Sequence, residues 1–454
     1  MASIVQRKNS YCVVYMYTDE HGKRKQKWET YKTLVDATAR RKEIEYKESQ
    51  GIFIVPNCKT LDDLLREFVD LYGKDKWALS TYDSNVSLIR HYISPVIGSF
   101  RLQDINTRVI ENYYNKLLKM ERASDARKKL GERKTVTNHI VRDIHKLLRT
   151  CFEQAVRWDI MEKNPCQYAT IPKADYKKRE IWTAETLFHA IEVCEDDRLK
   201  LALNLAFSCS LRIGELLGLT WDCVDISPES ISAGTAHVRV AKEIQRVTRS
   251  TMKELSNKDI VKTFPSVNTK TKTVLVLKSP KTLSSMRKVF IPKTVAEMMI
   301  EWKNKQEQVK EMLGSEYKDF DLVFAGPMGM PTESSTITGA FEKLIKEHPE
   351  LPKVVFHSLR HSSITYKLKL NGGDIKAVQG DSGHSQVKMV TDVYSHILDD
   401  DRKHNAELFE EAFYSEKKKE PDRSGDEDVD PETLLKLLKN PELAAVIKAL
   451  AKNI

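Results

Sequence analysis

The sequence has no long hydrophobic run and no paired cysteines, and each absence narrows the class of protein. Its best apolar stretch, residues 201–211, is short and interrupted by polar residues, so no membrane-spanning helix is expected. The seven cysteines are scattered and form no CxxC pair, which argues against a disulfide framework and a cysteine zinc site. The first ten residues carry no apolar signal segment, so the sequence predicts a cytoplasmic protein.

Nucleotide-binding loops are missing as well. Neither a GxxxxGK(S/T) phosphate loop nor a GxGxxG fingerprint occurs, so nucleotide-driven chemistry has no support. The charge is moderately basic, since 74 lysine and arginine residues against 65 aspartate and glutamate residues give a net charge of +9. That excess permits an anionic partner such as nucleic acid but does not establish one.

The patterning of the 454 residues predicts a multidomain α+β protein of about three domains. Residues 1–55 predict a small β-sheet-plus-helix domain, residues 58–170 an all-α domain, and residues 182–412 a mixed, mainly-α domain with a small antiparallel sheet. Residues 171–181 are typical of a linker, and residues 413–454 of an acidic linker followed by a helix. The basic surfaces of the first two domains suit DNA, and a merely solvated surface is the alternative for each.

Two local patterns in the third domain place charged side chains at helix or strand ends. Arg212 and Glu215 lie three residues apart at the start of an apolar helix, where a surface ion pair is the ordinary explanation. Lys281 lies in a polar turn between two strand-like segments, where a solvated lysine is the more common case. Neither pattern alone indicates a catalytic site.

Two further patterns carry histidine, arginine and tyrosine. His357 and Arg360 are three residues apart at the start of a helix, so both can face one anion. The spacing of four between His357 and His361 is that of a zinc helix, but serine follows the first histidine where a metalloprotease has glutamate, and no third ligand is evident. His384 is followed ten residues later by Tyr394, and a lone tyrosine is normally half-buried core.

Together the four patterns predict one kind of chemistry, the attack of a tyrosine on a phosphodiester. The transition state gains negative charge on its non-bridging oxygens, and two guanidinium groups neutralise that charge without a metal ion. A free tyrosine has a pKa of about 10, so its phenol needs a nearby base or cationic surroundings to become a nucleophile. A lysine on a mobile turn is suited to protonating the departing 5′-oxygen.

In this order the motifs resemble those of the tyrosine recombinases, in the branch of phage and integrative-element integrases, and the resemblance covers residues 1–412. It implies catalytic roles for six residues and a supporting role for one more residue, which is acidic. Arg212 corresponds to the first arginine and Lys281 to the β-hairpin lysine. His357 and Arg360 correspond to the HxxR box, and His384 to the later histidine. Tyr394 corresponds to the nucleophile and Glu215 to the supporting acid.

Two features depart from the family pattern. The usual Leu-Gly-His sequence reads Ser-Gly-His, ending at His384, which we expect to alter a helix–loop junction more than the chemistry. The polar stretch 244–272, expected to be an insertion or a long mobile loop, lies next to the lysine turn. Lys278 and Lys288 are therefore the alternatives to Lys281.

The resemblance implies site-specific recombination of double-stranded DNA through a 3′-phosphotyrosyl intermediate and a Holliday junction, with no cofactor and no metal. It implies an arm-type DNA-binding domain at residues 1–55, a core-binding domain of the SAM-like type at 58–170 and a catalytic domain at 182–412. The expected partners are core-type and arm-type attachment sites, three further copies in a homotetramer, and an excisionase or DNA-bending accessory protein. We expect the protein in the bacterial cytoplasm, associated with the nucleoid when active, and no membrane partner.

Two other classes stay open at the level of sequence. A type IB topoisomerase uses similar chemistry but rejoins the same strand, and a DNA-binding regulator has no need of the reactive residues. The separate basic N-terminal domain favours the integrase of a mobile element over a recombinase that resolves chromosome dimers.

Overall fold

The computed structural model describes most of the chain. The described residues are 2–18, 24–49, 60–123, 135–173, 180–266, 270–280, 285–383 and 386–394, with positions 407 and 410; at 18, 43, 47–49, 389 and 392–394 only the backbone is described. The chain divides into two compact units, residues 1–387 and 388–454. Among the described residues, no helix is long and apolar enough to cross a membrane.

The N-terminal region is a three-stranded antiparallel sheet with one helix. The sheet has the order β1 (Ser3–Arg7), β2 (Ser10–Thr18), β3 (Arg24–Tyr31), and α1 (Leu34–Ser49) packs against it. Side chains alternate between the two faces of a strand, so β2 can bury one face against the helix. The core of this region is formed by Ala2, Val13, Tyr15, Ala37 and Ile44. Strand β1 was not predicted, because three of its five residues are polar.

A half-buried carboxylate connects this sheet to its helix. Glu29 on β3 accepts hydrogen bonds from Tyr15 at 2.5 Å and Tyr31 at 2.8 Å, and Arg40 on α1 donates to it from Nε at 2.9 Å. Burial alone raises the pKa of Glu29, but the bonds from Arg40 and the two phenols lower it to about 2. The ionised form of Glu29 therefore stabilises the packing of α1 on the sheet.

In the next region, the described residues between 60 and 170, all the helices and strands with a defined range are helices. Its helices are α2 (Leu61–Glu67), α3 (Lys74–Lys76), α4 (Leu79–Leu88), α5 (Thr107–Leu117) and α6 (Asn138–Arg157), with π-helical continuations at Phe68–Gly73 and Ile89–Gly98. Thr60 begins α2 through a capping box with Asp63, whose amide donates to Thr60 Oγ1 at 3.3 Å. Gly73 does not end this helix, because its φ of −63° is helical and the helix runs on to Lys76.

The third region surrounds one apolar helix. Its helices are α7 (Ala184–Glu192), α8 (Asp197–Ser208), α9 (Ile213–Leu217), α10 (Pro228–Ser232), α11 (Arg249–Glu254), α12 (Lys293–Leu313), α13 (Ser334–Glu347), α14 (Ser358–Leu370) and α15 (Ile375–Ser382). Helix α8 is the apolar run seen in the sequence, and α12, α13 and α14 pack around it. Burial on all sides explains why this run is hydrophobic but does not span a membrane.

Six strands accompany these helices in two antiparallel sheets. One sheet has the order β4 (Val224–Asp225), β5 (His237–Val240), β9 (Arg287–Phe290), and the other has the order β6 (Glu243–Thr248), β8 (Thr273–Lys278), β7 (Ile260–Thr263). The single small sheet that we predicted for this region is thus two sheets in the described residues. Strands β8 and β9 belong to different sheets, so the segment between them joins two sheets and does not close the predicted β-hairpin.

The stretch 244–272 is folded, and the expectation of a long mobile loop is wrong. It contributes β6, α11 and β7, which with β8 we call the insertion sheet. Its apolar side chains Val247, Leu255, Val274 and Val276 are buried in the same cluster as the helices of residues 61–169. The apolar partner of this polar-looking stretch is therefore supplied by a distant part of the chain.

Polar contacts join the insertion sheet to the helical region as well. Thr248 and Thr251 both donate through Oγ1 to Asp83 Oδ1 at 3.2 Å. Glu254 on α11 lies 3.2 Å from the ammonium of Lys74. Two regions whose hydrogen-bonded residues lie 165 and 168 positions apart in sequence are thus linked by both apolar and polar contacts.

The C-terminal unit is described only at residues 388–394, 407 and 410. Helix α16 (Val387–Tyr394) begins at the boundary between the units. The predicted acidic linker and C-terminal helix of residues 413–454 lie outside the described residues, as do residues 174–179 of the predicted 171–181 linker. The boundaries of the predicted domains remain predictions.

Candidate active site

Arg212 lies at the N-terminal end of α9, as its motif predicted. The chain leaves α8 through Ser210, whose φ of +52° lies in the left-handed region and turns the backbone sharply. The backbone amide of Arg212 then donates to Glu215 Oε2 at 3.1 Å, and its Nη1 donates to Glu215 Oε1 at 2.6 Å. The glutamate therefore caps the helix and holds the arginine side chain at the same time.

The ion pair of Arg212 and Glu215 is not the surface pair that its spacing alone suggests. The side chain of Glu215 is 2% exposed, whereas that of Arg212 is 33% exposed. Burial raises the pKa of Glu215, but Arg287 and Arg212 outweigh it and hold the pKa below its ordinary value. Glu215 is therefore a buried carboxylate that stays ionised because two arginines face it.

Arg287 is the site residue that the sequence motifs did not identify. It begins β9, its side chain is 6% exposed, and its Nη2 donates to Glu215 Oε2 at 2.9 Å. Its Nε donates to the carbonyl oxygen of Asp381 at 2.6 Å, and its Nη1 donates to that of Ser285 at 3.0 Å. A signal was present in the sequence, because alternation along β9 puts Arg287 on the same inward face as Val289.

Arg360 on α14 is 2% exposed and is held by backbone carbonyls. Its Nη1 donates to the carbonyl oxygen of Ser210, and its Nη2 donates to that of Ser382 at 2.6 Å. Burial lowers the pKa of Arg360 to about 9, with the charge of Arg212 adding to the effect. It remains charged at neutral pH, and its guanidinium is fixed between the start of α9 and the end of α15.

His357 precedes the first residue of α14, so the motif with Arg360 opens a helix as predicted. Its side chain is exposed, and its ring centroid lies 5.1 Å from that of His361 in an edge-to-face arrangement. Within the described residues there is no group of three histidine, cysteine, aspartate or glutamate side chains that could hold a metal ion.

The remaining predicted residues fall largely outside what the structure describes. Lys281 and His384 are not among the described residues, and of Tyr394 only the backbone at the end of α16 is described. Of the two alternatives to Lys281, Lys278 is buried with its Nζ 2.7 Å from Glu243 Oε1. Lys288 points outward from β9, with its Nζ 4.9 Å from the ring centroid of Phe290.

The junction before His384 is built by a glycine. Gly383 ends α15 in the left-handed conformation with a φ of +63°. A Cβ at this position would lie 3.0 Å from both Cδ and Nη1 of Arg287. Backbone conformation and lack of space both require glycine here, while the serine that departs from the family pattern contributes a carbonyl to Arg360.

Chemically, this arrangement suits an anionic group such as a phosphodiester. Two guanidinium groups contact one buried carboxylate and a third lies near it, which leaves an excess of positive charge, and Arg212 is partly exposed. Such a centre stabilises the charge of a phosphoryl-transfer transition state.

Comparisons with known proteins identify the class more closely. Residues 263–401 match the Phage integrase family, and residues 60–118 match the SAM-like N-terminal domain of phage integrases. The chain is 27% identical over 405 residues to the XerC-like tyrosine recombinase of Caldanaerobacter subterraneus subsp. tengcongensis, covering 87% of this chain and 94% of the relative. It is 25% identical over 334 residues to the ICEBs1 integrase of Bacillus subtilis, covering 73% of this chain and 78% of the relative.

A solved structure shares the fold. The integrase of the Tn1549 transposon in complex with transposon right end DNA superposes with a TM-score of 0.58 at 19% identity, covering 77% of this chain and 99% of that one. The matching family models and relatives are those of phage integrases and tyrosine recombinases. The resemblance seen in its motifs is thereby confirmed.

Proposed function

We propose that the protein is the integrase of a mobile genetic element, which cuts and rejoins DNA at specific sites through a 3′-phosphotyrosyl intermediate. The observation that carries this function is the pair Arg212 and Arg360, each anchored and each aligned with a family motif. The match to the phage integrase family and the similarity to the ICEBs1 integrase support the role in a mobile element.

Arg212 and Arg360 bind the non-bridging oxygens of the scissile phosphate in this proposal. Arg360 is fixed by two carbonyls, whereas Arg212 is partly exposed and presents its guanidinium at the surface. Preorganised donors of this kind stabilise developing charge without reorganising during the reaction. His357, exposed at the start of the same helix as Arg360, contributes a further donor or acceptor at the phosphate.

The covalent step follows from the motif resemblance. The phenolic oxygen of Tyr394 forms a bond to phosphorus, the bond from phosphorus to the 5′-oxygen breaks, and the phenolic proton leaves to a base. Lys281 supplies a proton to the departing 5′-oxygen. His384 is the motif residue that directly precedes the nucleophile in the order of the motifs along the sequence. A 5′-hydroxyl of the partner duplex then displaces the tyrosine, so the energy of the broken bond is conserved and neither ATP nor a metal ion is consumed.

The other regions divide the recognition of DNA between them. We assign residues 1–55 to arm-type sites and residues 58–170 to core-type sites, with residues 182–412 as the catalytic domain. Basic and aromatic side chains lie together on the N-terminal sheet, where the guanidinium carbon of Arg7 lies 5.3 Å from the ring centroid of Trp28 and Lys27 Nζ lies 6.0 Å from that of Tyr17. The match of residues 60–118 to the SAM-like domain supports the second assignment.

The active assembly is a homotetramer on two attachment sites, assisted by an excisionase or a DNA-bending protein, in the bacterial cytoplasm. The Tn1549 integrase has been solved in complex with circular intermediate DNA and with transposon right end DNA. The binding of such DNA by a protein of the same fold supports DNA of the element as the partner of this protein.

A suicide-substrate assay tests the function. Nicked duplexes carrying the attachment sites that flank the gene are incubated with the protein without metal, and the covalent adduct is resolved on a denaturing gel. We expect an adduct with the wild type and with Tyr366→Phe, an exposed tyrosine on α14, and none with Tyr394→Phe. Binding of DNA should be the same in all three.

The outcomes separate the candidate functions. An adduct that survives Tyr394→Phe would contradict the nucleophile, and binding without any adduct would identify a DNA-binding regulator. Strand exchange between two duplexes, followed with an unequal-length pair of sites, distinguishes a recombinase from a topoisomerase that rejoins the same strand.

A further inference from the structure

We propose that Arg287 is a positioning residue that sets the relative placement of the two phosphate-binding arginines without touching DNA itself. This inference rests on the proposed function and goes beyond it, since the sequence motifs assign no role to Arg287. Its side chain is 6% exposed, and each of its three nitrogens donates to an acceptor within the protein. A guanidinium engaged in this way acts through the groups that it holds.

The three acceptors lie in three separate segments of the site. Glu215 holds Arg212 at the start of α9. Asp381 directly precedes Ser382, the residue whose carbonyl oxygen accepts the bond from Arg360. Ser285 directly follows the segment that contains Lys281. Arg287 therefore donates hydrogen bonds both to Glu215, the partner of Arg212, and to the residue that directly precedes a partner of Arg360.

The geometry requires arginine at this position. The three acceptors are reached from three different nitrogens of one planar group, and the single ammonium of a lysine cannot occupy three positions. Gly383 packs against Cδ and Nη1 of Arg287, so the same side chain also supports the junction that leads to His384. Loss of Arg287 removes this support together with the hydrogen bonds.

The electrostatics of the site supply a readout. The charged groups that face Glu215 are Arg212 at the start of α9, Arg287 on β9 and Arg360 on α14. On the β6 side of α9, Glu243 approaches Gly214 and is itself paired with Lys278. Without Arg287, burial pushes the pKa of Glu215 upward, and protonation of Glu215 then releases Arg212. An Arg287 variant should therefore need a higher pH for cleavage than the wild type does.

The experiment measures single-turnover cleavage of the nicked substrate by the full-length protein, together with DNA affinity, from pH 6 to 9. We expect Arg287→Met to slow cleavage at pH 7 by about 100-fold, the scale of losing one transition-state donor, with affinity for DNA changed by less than about threefold. The rate should recover partly as the pH rises. Arg287→Lys, which keeps the charge but not the three bonds, should be intermediate.

Arg239→Met is the matched control, because Arg239 points outward from the neighbouring strand β5, and its cleavage profile should match that of the wild type. Cleavage by Arg287→Met and Arg287→Lys at the wild-type rate and with the wild-type pH profile would overturn the inference. If Arg287→Met fails to fold, Arg287→Lys decides in the same way. A wild type that binds DNA but forms no adduct would instead overturn the proposed function, and the inference with it.

Discussion

The ion pair of Glu215 and Arg287 gives a stability prediction that can be worked out from the structure. The two side chains are 2% and 6% exposed, and Arg287 Nη2 lies 2.9 Å from Glu215 Oε2. Removing one member of a buried pair costs about 3–5 kcal/mol, because the other charge is left buried without a partner. Glutamine at position 215 still offers a carbonyl acceptor, so we expect Glu215→Gln to lie near the lower end, at about 3 kcal/mol.

The double variant separates the charge effect from the loss of packing. Glu215→Gln combined with Arg287→Met removes both charges, so neither charge of the pair is left buried without the other. The cost should fall below the sum of the two single variants by about 2 kcal/mol, a coupling energy typical of residues in direct contact. Additive costs would show that the two side chains do not interact, and the assigned arrangement of the site would be wrong.

The assay is amide hydrogen exchange of the full-length protein, read at α9 and β9. A local measurement is needed because a chain of several folded regions does not unfold in a single step. The control is Asp197→Asn, which removes the exposed pair of Asp197 with Lys305 and should change exchange at α9 and β9 by nothing measurable. Protection of α9 that is unchanged in Glu215→Gln would refute the reasoning.

Two further predictions concern regions outside the site. Asp83→Ala removes the acceptor shared by Thr248 and Thr251, so trypsin should cut the insertion sheet faster, whereas Asp143→Ala, which removes an exposed pair with Lys146 on α6, should leave its digestion unchanged. In the N-terminal sheet the lowered pKa of Glu29, about 2, means that its stabilising effect is present above the ordinary glutamate pKa and is lost as the pH falls towards 2. Exchange protection of β2 should therefore drop between about pH 5 and 2 in the wild type and show little such dependence in Glu29→Gln, and equal acid sensitivity of both would contradict the assignment.

The parts of the site that follow from local signals were predicted correctly. Arg212 and His357 were both expected at the start of a helix, and each directly precedes one. Helix starts depend on neighbouring residues that supply caps and begin an apolar pattern, so a short stretch of sequence contains the information. The roles of Arg212 and His357 in the reaction stay predictions. Lys281, His384 and the side chain of Tyr394 lie outside the described part of the chain.

The parts that depend on distant partners were not predicted. The partners that hold Arg287 in its buried position lie 72 residues before it and 94 residues after it. A local sequence pattern therefore does not contain them. The insertion sheet looked like a polar loop because the apolar surface that it covers belongs to residues 61–169. Hydrophobic periodicity within 244–272 reports on only one side of that interface. The other side is brought to it by the tertiary fold.

Arg212 and Arg360, the two arginines that we propose to bind phosphate, are held by different kinds of acceptor, and this difference determines the charge that the site presents. Glu215 offsets the charge of Arg212, whereas Arg360 is held by uncharged carbonyls and its pKa is lowered to about 9 by burial and by nearby arginines. With Arg287 included, three positive charges share one negative charge, so the fold leaves positive charge uncompensated. A bound phosphodiester neutralises part of that excess, and the added charge of the phosphorane-like transition state neutralises the rest. The buried carboxylate therefore does not weaken the site, because it fixes Arg212 and Arg287 in place while Arg360 keeps a charge that only the substrate can balance.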